Sequence, residues 1–299
     1  MLIGSTVTSI SDNGNAVVGS KPTDLLHVMF TRNKTHVQLR QVNTDYITGS
    51  TQIDEALRKS TLGAIISNQK IQAYNNDSTA IVFDMTGVFL SDNKKMSPFD
   101  RNSIYGMYNR TENYQSDCSY ISQIKAFKDN VSIKSCLSYT FSVSNSQGAS
   151  LIKDRPFTAE MTRSIMLLKE KPYRPRMADY RIGVFFTGRE QLGEGAKTTA
   201  PVYYANRWDI QPSDTAAYLR GEKVKPTKQI VFYIDNTFPE KWKPYLREGV
   251  TQWNELFEQI GFKDVVAAKD FPTDDPEFDP DNIKYSCVRY APSSIENAM

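Results

Sequence analysis

Histidine is nearly absent from this 299-residue chain: His27 and His36 are its whole imidazole supply. Chemistry that draws on a cluster of imidazoles therefore has little to work with. Neither histidine has a serine elbow or a cysteine partner signature nearby, which sets aside a self-contained histidine hydrolase. Cysteine is scarce too. Cys118, Cys136 and Cys287 are odd in number and contain no C-x-x-C pair, so they define no disulfide framework. No apolar run approaches the roughly 18 residues of a membrane span. No tract of five or six basic residues marks a nucleic-acid or anionic-membrane surface, and 36 basic against 34 acidic side chains leave a formal charge of only +2. The opening "MLIGSTVTSISDNGN" lacks the charged and apolar regions of a signal peptide. It starts inside strand-like sequence, so the expected true start, with any export signal, lies upstream. N-x-S/T matches at Asn33, Asn76, Asn109 and Asn130 are what chance gives in a chain this rich in Asn, Ser and Thr.

What is present is an ordinary globular composition, 39% hydrophobic and 23% charged, in a chain long enough for two domains. Its first half reads as β-structure. "LLHVMFTR" (25–32) and "HVQLRQV" (36–42) flank a hairpin-like break at Asn33–Thr35. "STQIDEALRKSTLGAII" (50–66) carries a hydroxyl cap and apolar spacing that predict a short helix. "AIVFDMTGVFL" (80–90) reads as a strand with Gly87 as a bulge. "CSYISQIKAF" and "VSIKSCLSYTFSV" flank Lys128-Asp129-Asn130 as a second hairpin. Periodicity leaves "TAEMTRSIMLLKE" (158–170) open between strand and helix. "IGVFF" (182–186) and "VYYANRWDI" (202–210) read as strands, and "LRGEKVKPTK" (219–228) as a domain boundary.

Three clusters carry possible chemistry, each with a structural alternative. Tyr105, Tyr108 and Tyr114, in the aperiodic stretch 97–117, suit a flat sugar-binding platform or simple packing over a sheet edge. Arg174, Arg176, Arg181 and Arg189 suit an anion or substrate carboxylate, or a loop tied down through acids such as Asp179. Asp274, Asp275, Glu277, Asp279 and Asp281, within the acidic loop 272–282, suit calcium or a solvated turn; EF-hand spacing and its glycine are missing.

The C-terminal quarter is the most regular. "KQIVFYIDN" (228–236) predicts a buried strand. A helix follows, with Trp242, Leu246, Val250, Trp253, Leu256, Phe257 and Ile260 on one stripe and Gly261 where a left-handed cap belongs. "DVVAAKDF" (264–271) and "IKYSCVRY" (283–290) predict two more strands.

"YRPRMADYRIGVFF", "RWDI", "IVFYIDNTFPEKWKPYLREGVTQWNELFEQIGF" and "IKYSCVRYAPS", in this order, resemble a family of large bacterial zinc-dependent metallopeptidases of metzincin type. Upstream, "GSKPTDLLHVMFTRN" and "SYTFSV" resemble its β-rich N-terminal region more loosely. The resemblance implies a strand–helix–strand–strand opening of a catalytic domain, with an H-E-x-x-H-type helix following later. It implies zinc in the parent protein, peptide or protein substrates, and a secreted or periplasmic location. No H-E-x-x-H occurs within these 299 residues, so no catalytic, cofactor-binding or metal-binding residue is assigned and this chain alone is expected to be inactive. The expectation is thus an α+β protein: a non-catalytic β-rich region over residues 1–225, then the incomplete start of a metallopeptidase domain over 226–299. The alternative is a β-rich module binding glycans or protein partners. If the second hairpin centres on Asp129, Cys118 faces Thr140 and Cys136 faces Ser122. That offset of about 13 Å exceeds the reach of a disulfide, so free thiols are expected.

Overall fold

The computed structural model describes residues 1–11, 18–99, 108–169, 174–193 and 199–292. The chain is α+β and mostly antiparallel β. It divides into compact units over Met1–Asn206 and Arg207–Pro292. Residues 207–225 go with the second unit because Ile210, Ala217 and Val224 pack into its core.

In the first unit, eight strands form one sheet. In chain order they are β1 (Leu2–Ile10), β2 (Leu26–Asn33), β3 (His36–Gln41), β5 (Ile65–Tyr74), β6 (Ile81–Phe83), β7 (Tyr108–Ala126), β8 (Asn130–Asn145) and β9 (Ser150–Met166). Their order across the sheet is β6-β5-β3-β2-β1-β9-β8-β7. The β2–β3 hairpin is the one the alternation predicts, turning through Lys34 at φ 51°. Residues 158–166 resolve as strand, the C-terminal half of β9. Along β8 every second side chain is buried: Ile133, Ser135, Leu137, Tyr139 and Phe141 face the core. Val88, Phe89, Met96 and Phe99 fill the same two apolar clusters. A smaller sheet, ordered β11-β10-β4, joins β4 (Tyr46–Thr48), β10 (Phe186–Leu192) and β11 (Thr199–Ala205). Helix α1 (Thr51–Ser60) follows β4 and has no buried residue.

Several expectations shift. "AIVFDMTGVFL" is a strand only at β6. The Asp84 carboxylate accepts the Thr86 amide at 2.7 Å, and the chain turns into α2 (Thr86–Phe89), which drops Val88 and Phe89 into the core. "IGVFF" is a turn up to Val184. The Ile182 amide donates to the Asp179 carbonyl at 3.0 Å, so β10 begins only at Phe186. "VYYANRWDI" is strand only to Ala205, the end of β11. Residues 108–117 are part of β7 rather than a loop, and Tyr105 lies outside the described residues.

The second hairpin is present in a shifted register. Its loop is Lys128-Asp129, closed by the Phe127 amide on the Asn130 carbonyl at 2.8 Å, so Ala126 faces Val131. Two irregularities in β7 move the pairing further. Cys136 faces Tyr120, and Cys118 falls in the unpaired stretch between Gln115 and Tyr120. All three cysteines are free.

The second unit carries β12 (Ile230–Ile234), β13 (Val266–Asp270) and β14 (Ser286–Val288) as a parallel sheet ordered β13-β12-β14. The β12–β13 crossover is helical but is not one helix. It breaks into α4 (Lys243–Thr251) and α5 (Asn254–Gln259). The Thr251 hydroxyl donates to the Arg247 carbonyl at 2.9 Å, a bond that bends helices, and the ladder beyond it shortens to three-residue spacing. Asn254 then points at the sheet. Its Nδ2 donates to the Val266 carbonyl at 2.9 Å, and its Oδ1 accepts the Val266 amide at 2.8 Å. Val250 and Phe257 share that inward face, so the predicted stripe splits and Trp253 is 60% exposed. Gly261 does close the helix. At φ 87° it completes a Schellman cap, with its own amide on Glu258 and the Phe262 amide on Phe257. A Cβ there would also meet Tyr218 Cε2 at 2.9 Å. Helix α3 (Thr215–Leu219), which supplies Tyr218, is capped by the Asp214 carboxylate.

The two faces of Asn254 and Trp253 give opposite expectations. Asn254→Ala leaves a buried amide–carbonyl pair of β13 unmet and should cost about 1–3 kcal/mol. Trp253→Ala should stay within about 0.5 kcal/mol of wild type. Urea unfolding of both variants checks this, and the reverse ranking would show that the helix is rotated.

Candidate functional site

The candidate site is a cleft of about 350 Å³ in the first unit, lined among others by Leu25, His27, Gln41, Asn43, Asp45 and Thr61. Its floor is backbone-built. The Val42 amide donates to the His27 carbonyl at 2.8 Å, and the Gln41 amide donates to Ala64 at 2.8 Å. Gly63 is required on the rim, because a Cβ would meet the Gln41 carbonyl at 2.7 Å. Arg40 Nη1 fixes that turn by donating to the Gly63 carbonyl at 2.8 Å. Asp45 is held from the other side, its carbonyl accepting the Glu190 amide at 2.7 Å. Gln41 Oε1 accepts from Lys95 Nζ.

His27 is the one imidazole in the cleft. Burial pushes its pKa down, and the positive charges of Arg189 and the Met1 amino group push it further the same way. It is therefore a neutral hydrogen-bonding group at pH 7. The lining offers amides, hydroxyls, one imidazole and one carboxylate. That set can orient a small polar ligand, but it holds no nucleophile with an adjacent base. His36 lies elsewhere. It sits at the turn end of the β2–β3 hairpin, opposite Asn33, with its Nδ1 on the Thr35 hydroxyl at 3.1 Å. Six residues of strand, about 20 Å, separate it from His27. The two histidines cannot share a metal, and no group of three or more His, Cys, Asp or Glu among the described residues is placed to hold one.

The other sequence candidates disperse. Arg181 is committed to Asp179, through Nε at 2.9 Å and Nη2 at 2.5 Å, which is the loop-tying arrangement. Arg189 donates to the Gly188 carbonyl. Tyr114 turns inward to meet Tyr139 edge-on at 5.5 Å, whereas Tyr108 is exposed at the far end of β7, so these two form no flat platform. In the acidic loop, Asp275 and Asp279 each accept a backbone amide two residues on, from Glu277 and Asp281. The loop's apolar anchor is Phe278, packed on Tyr233, Phe271 and Tyr285. Sequence reading missed the buried Arg163. Its signal was a charge at the core-facing period of "AEMTRSIM", obscured while that segment was open between helix and strand.

These observations define a β-rich α+β protein with a small polar cleft in its larger unit. Residues 20–213 match the family described as Domain of unknown function (DUF5117), more than half of the chain, and the chain belongs to that family. No curated protein and no solved structure matches it.

Because the His27 pKa is lowered in the fold, its charged form is disfavoured there. Stability is unaffected above the unfolded value near 6.5 and falls as pH drops through it towards the folded pKa. His27→Gln should flatten that part of the stability–pH curve, read by denaturant midpoints between pH 7 and pH 5. An unchanged slope would show that the imidazole is fully solvated.

Proposed function

We propose that this chain is the non-catalytic N-terminal portion of a secreted or periplasmic zinc-dependent metallopeptidase of metzincin type. The observation that carries this reading is the second unit. The residues that resemble the metallopeptidase family fold as strand, helical crossover, strand, strand, with β12 central and β13 and β14 parallel on either side. That is the order the resemblance implies for the opening of the catalytic domain. Helices cover one face of this sheet through Ile230, Phe232, Val250 and Phe257. Phe278 and Tyr285 cover the other through Tyr233. In this reading the unit is a wall of a larger domain, and zinc and the general base come from residues outside the chain. The cleft at His27 is then a binding feature of the accessory region. The competing reading, a free-standing glycan module, draws no support from Tyr114, whose partly buried ring packs inward against the core.

Two measurements test the proposal together. Residues 1–299 alone should hold no stoichiometric zinc and cleave no casein-type substrate, because a catalytic zinc needs three protein ligands of fixed geometry. The polypeptide encoded by the full reading frame should carry an H-E-x-x-H helix, hold about one zinc and cleave peptide bonds. A frame without that motif, or peptidase activity and tightly held zinc in residues 1–299, would overturn it.

A further inference from the structure

The ladder between β3 and β5 comes apart at the cleft. Their register runs from His36 opposite Lys70 to Arg40 opposite Ile65. Just beyond, the Gln41 amide still reaches the Ala64 carbonyl at 2.8 Å. One residue on, the Val42 amide turns the other way, to the His27 carbonyl of β2 at 2.8 Å. Continued alternation would return the Asn43 amide to the β5 side, at the level of Leu62. No such bond forms. Among the described residues the amides of Asn43, Thr44, Leu62 and Gly63, all of which line the cleft, have no acceptor.

Bonds on the far side of each wall keep the two lengths of backbone apart. The Asp45 carbonyl is held by the Glu190 amide at 2.7 Å, and β4, which follows it, pairs with β10. On the other wall the Thr61 amide is tied to the Leu57 carbonyl of α1 at 2.8 Å, and the Gly63 carbonyl to Arg40 at 2.8 Å. The side chains that line the gap are equally uncommitted. Among the described residues the His27 imidazole, the Thr61 hydroxyl and the Asp45 carboxylate have no hydrogen-bond partner. Leu25 and Leu62 add apolar surface and are 53% and 85% exposed. No aromatic ring is among the lining residues, so the flat platform on which a sugar stacks is missing.

We propose that the cleft binds an extended peptide segment, inserted as an extra length of strand between residues 43–45 and 61–64. About three residues, roughly 10 Å at 3.3 Å each, would lie beside these walls. Main-chain bonds to the unpaired amides would supply the affinity, as they do wherever a peptide adds to a sheet edge. Alternate side chains of the peptide would meet Leu25 and Leu62. Neutral His27 and the Thr61 hydroxyl can each donate or accept, so they suit an amide in either orientation. The geometry holds whether or not a peptidase domain follows the chain.

The test titrates the whole chain, labelled with nitrogen-15, with the capped peptide acetyl-Thr-Val-Thr-Val-Thr-amide at millimolar concentration. The amide resonances of Asn43 and Leu62 should shift downfield in a saturating manner and become protected from solvent exchange. The same peptide N-methylated at alternate residues keeps its side chains but loses main-chain donors, and should bind at least about tenfold more weakly. Leu62→Pro removes one amide from the wall and should weaken the unmethylated peptide to a similar degree. Thr61 is already in the extended conformation that a residue before proline adopts, so this substitution suits the backbone there. Should the variant fail to fold, the pair of peptides still decides. Equal binding of the methylated peptide, no saturable shift at these amides, or a shift produced by glucose and not by peptide would overturn the proposal.

Discussion

Strand β8 is the element on which the first unit depends. It pairs with β7 on one edge and β9 on the other over nearly its whole length, and alternate side chains enter the core. β7 joins the sheet only through β8, and β9 links β8 to β1, which carries β2. The residues that close the core over this face come from a segment with little regular structure, 88–99. Its anchors, Val88, Phe89, Met96 and Phe99, are all deeply buried. Phe99 packs on Tyr139 and Phe157 at about 5 Å, with the Arg110 guanidinium over its ring. Removing water from that face fixes the segment, which in turn supplies the Met96 carbonyl to Arg163.

The second unit solves a different problem. Parallel strands need crossovers, and a three-stranded parallel sheet must cover both faces. The β12–β13 crossover does this with a helix pair whose orientation is set by polar bonds rather than by apolar area. The Asn254 amide satisfies β13 at Val266, and the Schellman cap at Gly261 aims the chain into Phe262 and Val265. The β13–β14 crossover uses the acidic loop, in which one phenylalanine does the packing and the carboxylates close turns.

What was legible in the sequence follows from these causes. The β2–β3 hairpin was readable because alternation and turn residues agree, and β12 because five apolar residues run together. Gly261 was readable because a left-handed cap has a residue-specific signature. The helix face was not: apolar spacing placed Trp253 inward, and the deciding interaction was a side-chain amide meeting a backbone 12 residues later. The hairpin register near Cys118 was likewise unreadable, because bulges in β7 carry no residue signature here. The cleft at His27 brings Thr61 and Asp45 beside a histidine from another strand, a juxtaposition made by pairing and not by spacing.

Burial of charge separates the two units most sharply. In the second unit, Lys243 is buried with its ammonium on Glu240 at 2.6 Å. Asp235 is buried too. Burial alone would raise its pKa, yet the Thr237 amide and hydroxyl, with Arg289 at 3.5 Å, leave it lowered. Both charges meet the requirement that a desolvated ion be paired and hydrogen-bonded. Arg163 is more buried than either and, among the described residues, donates only to the Met96 carbonyl. This position of β9 holds a cation where an aliphatic side chain of the same reach would pack at lower cost.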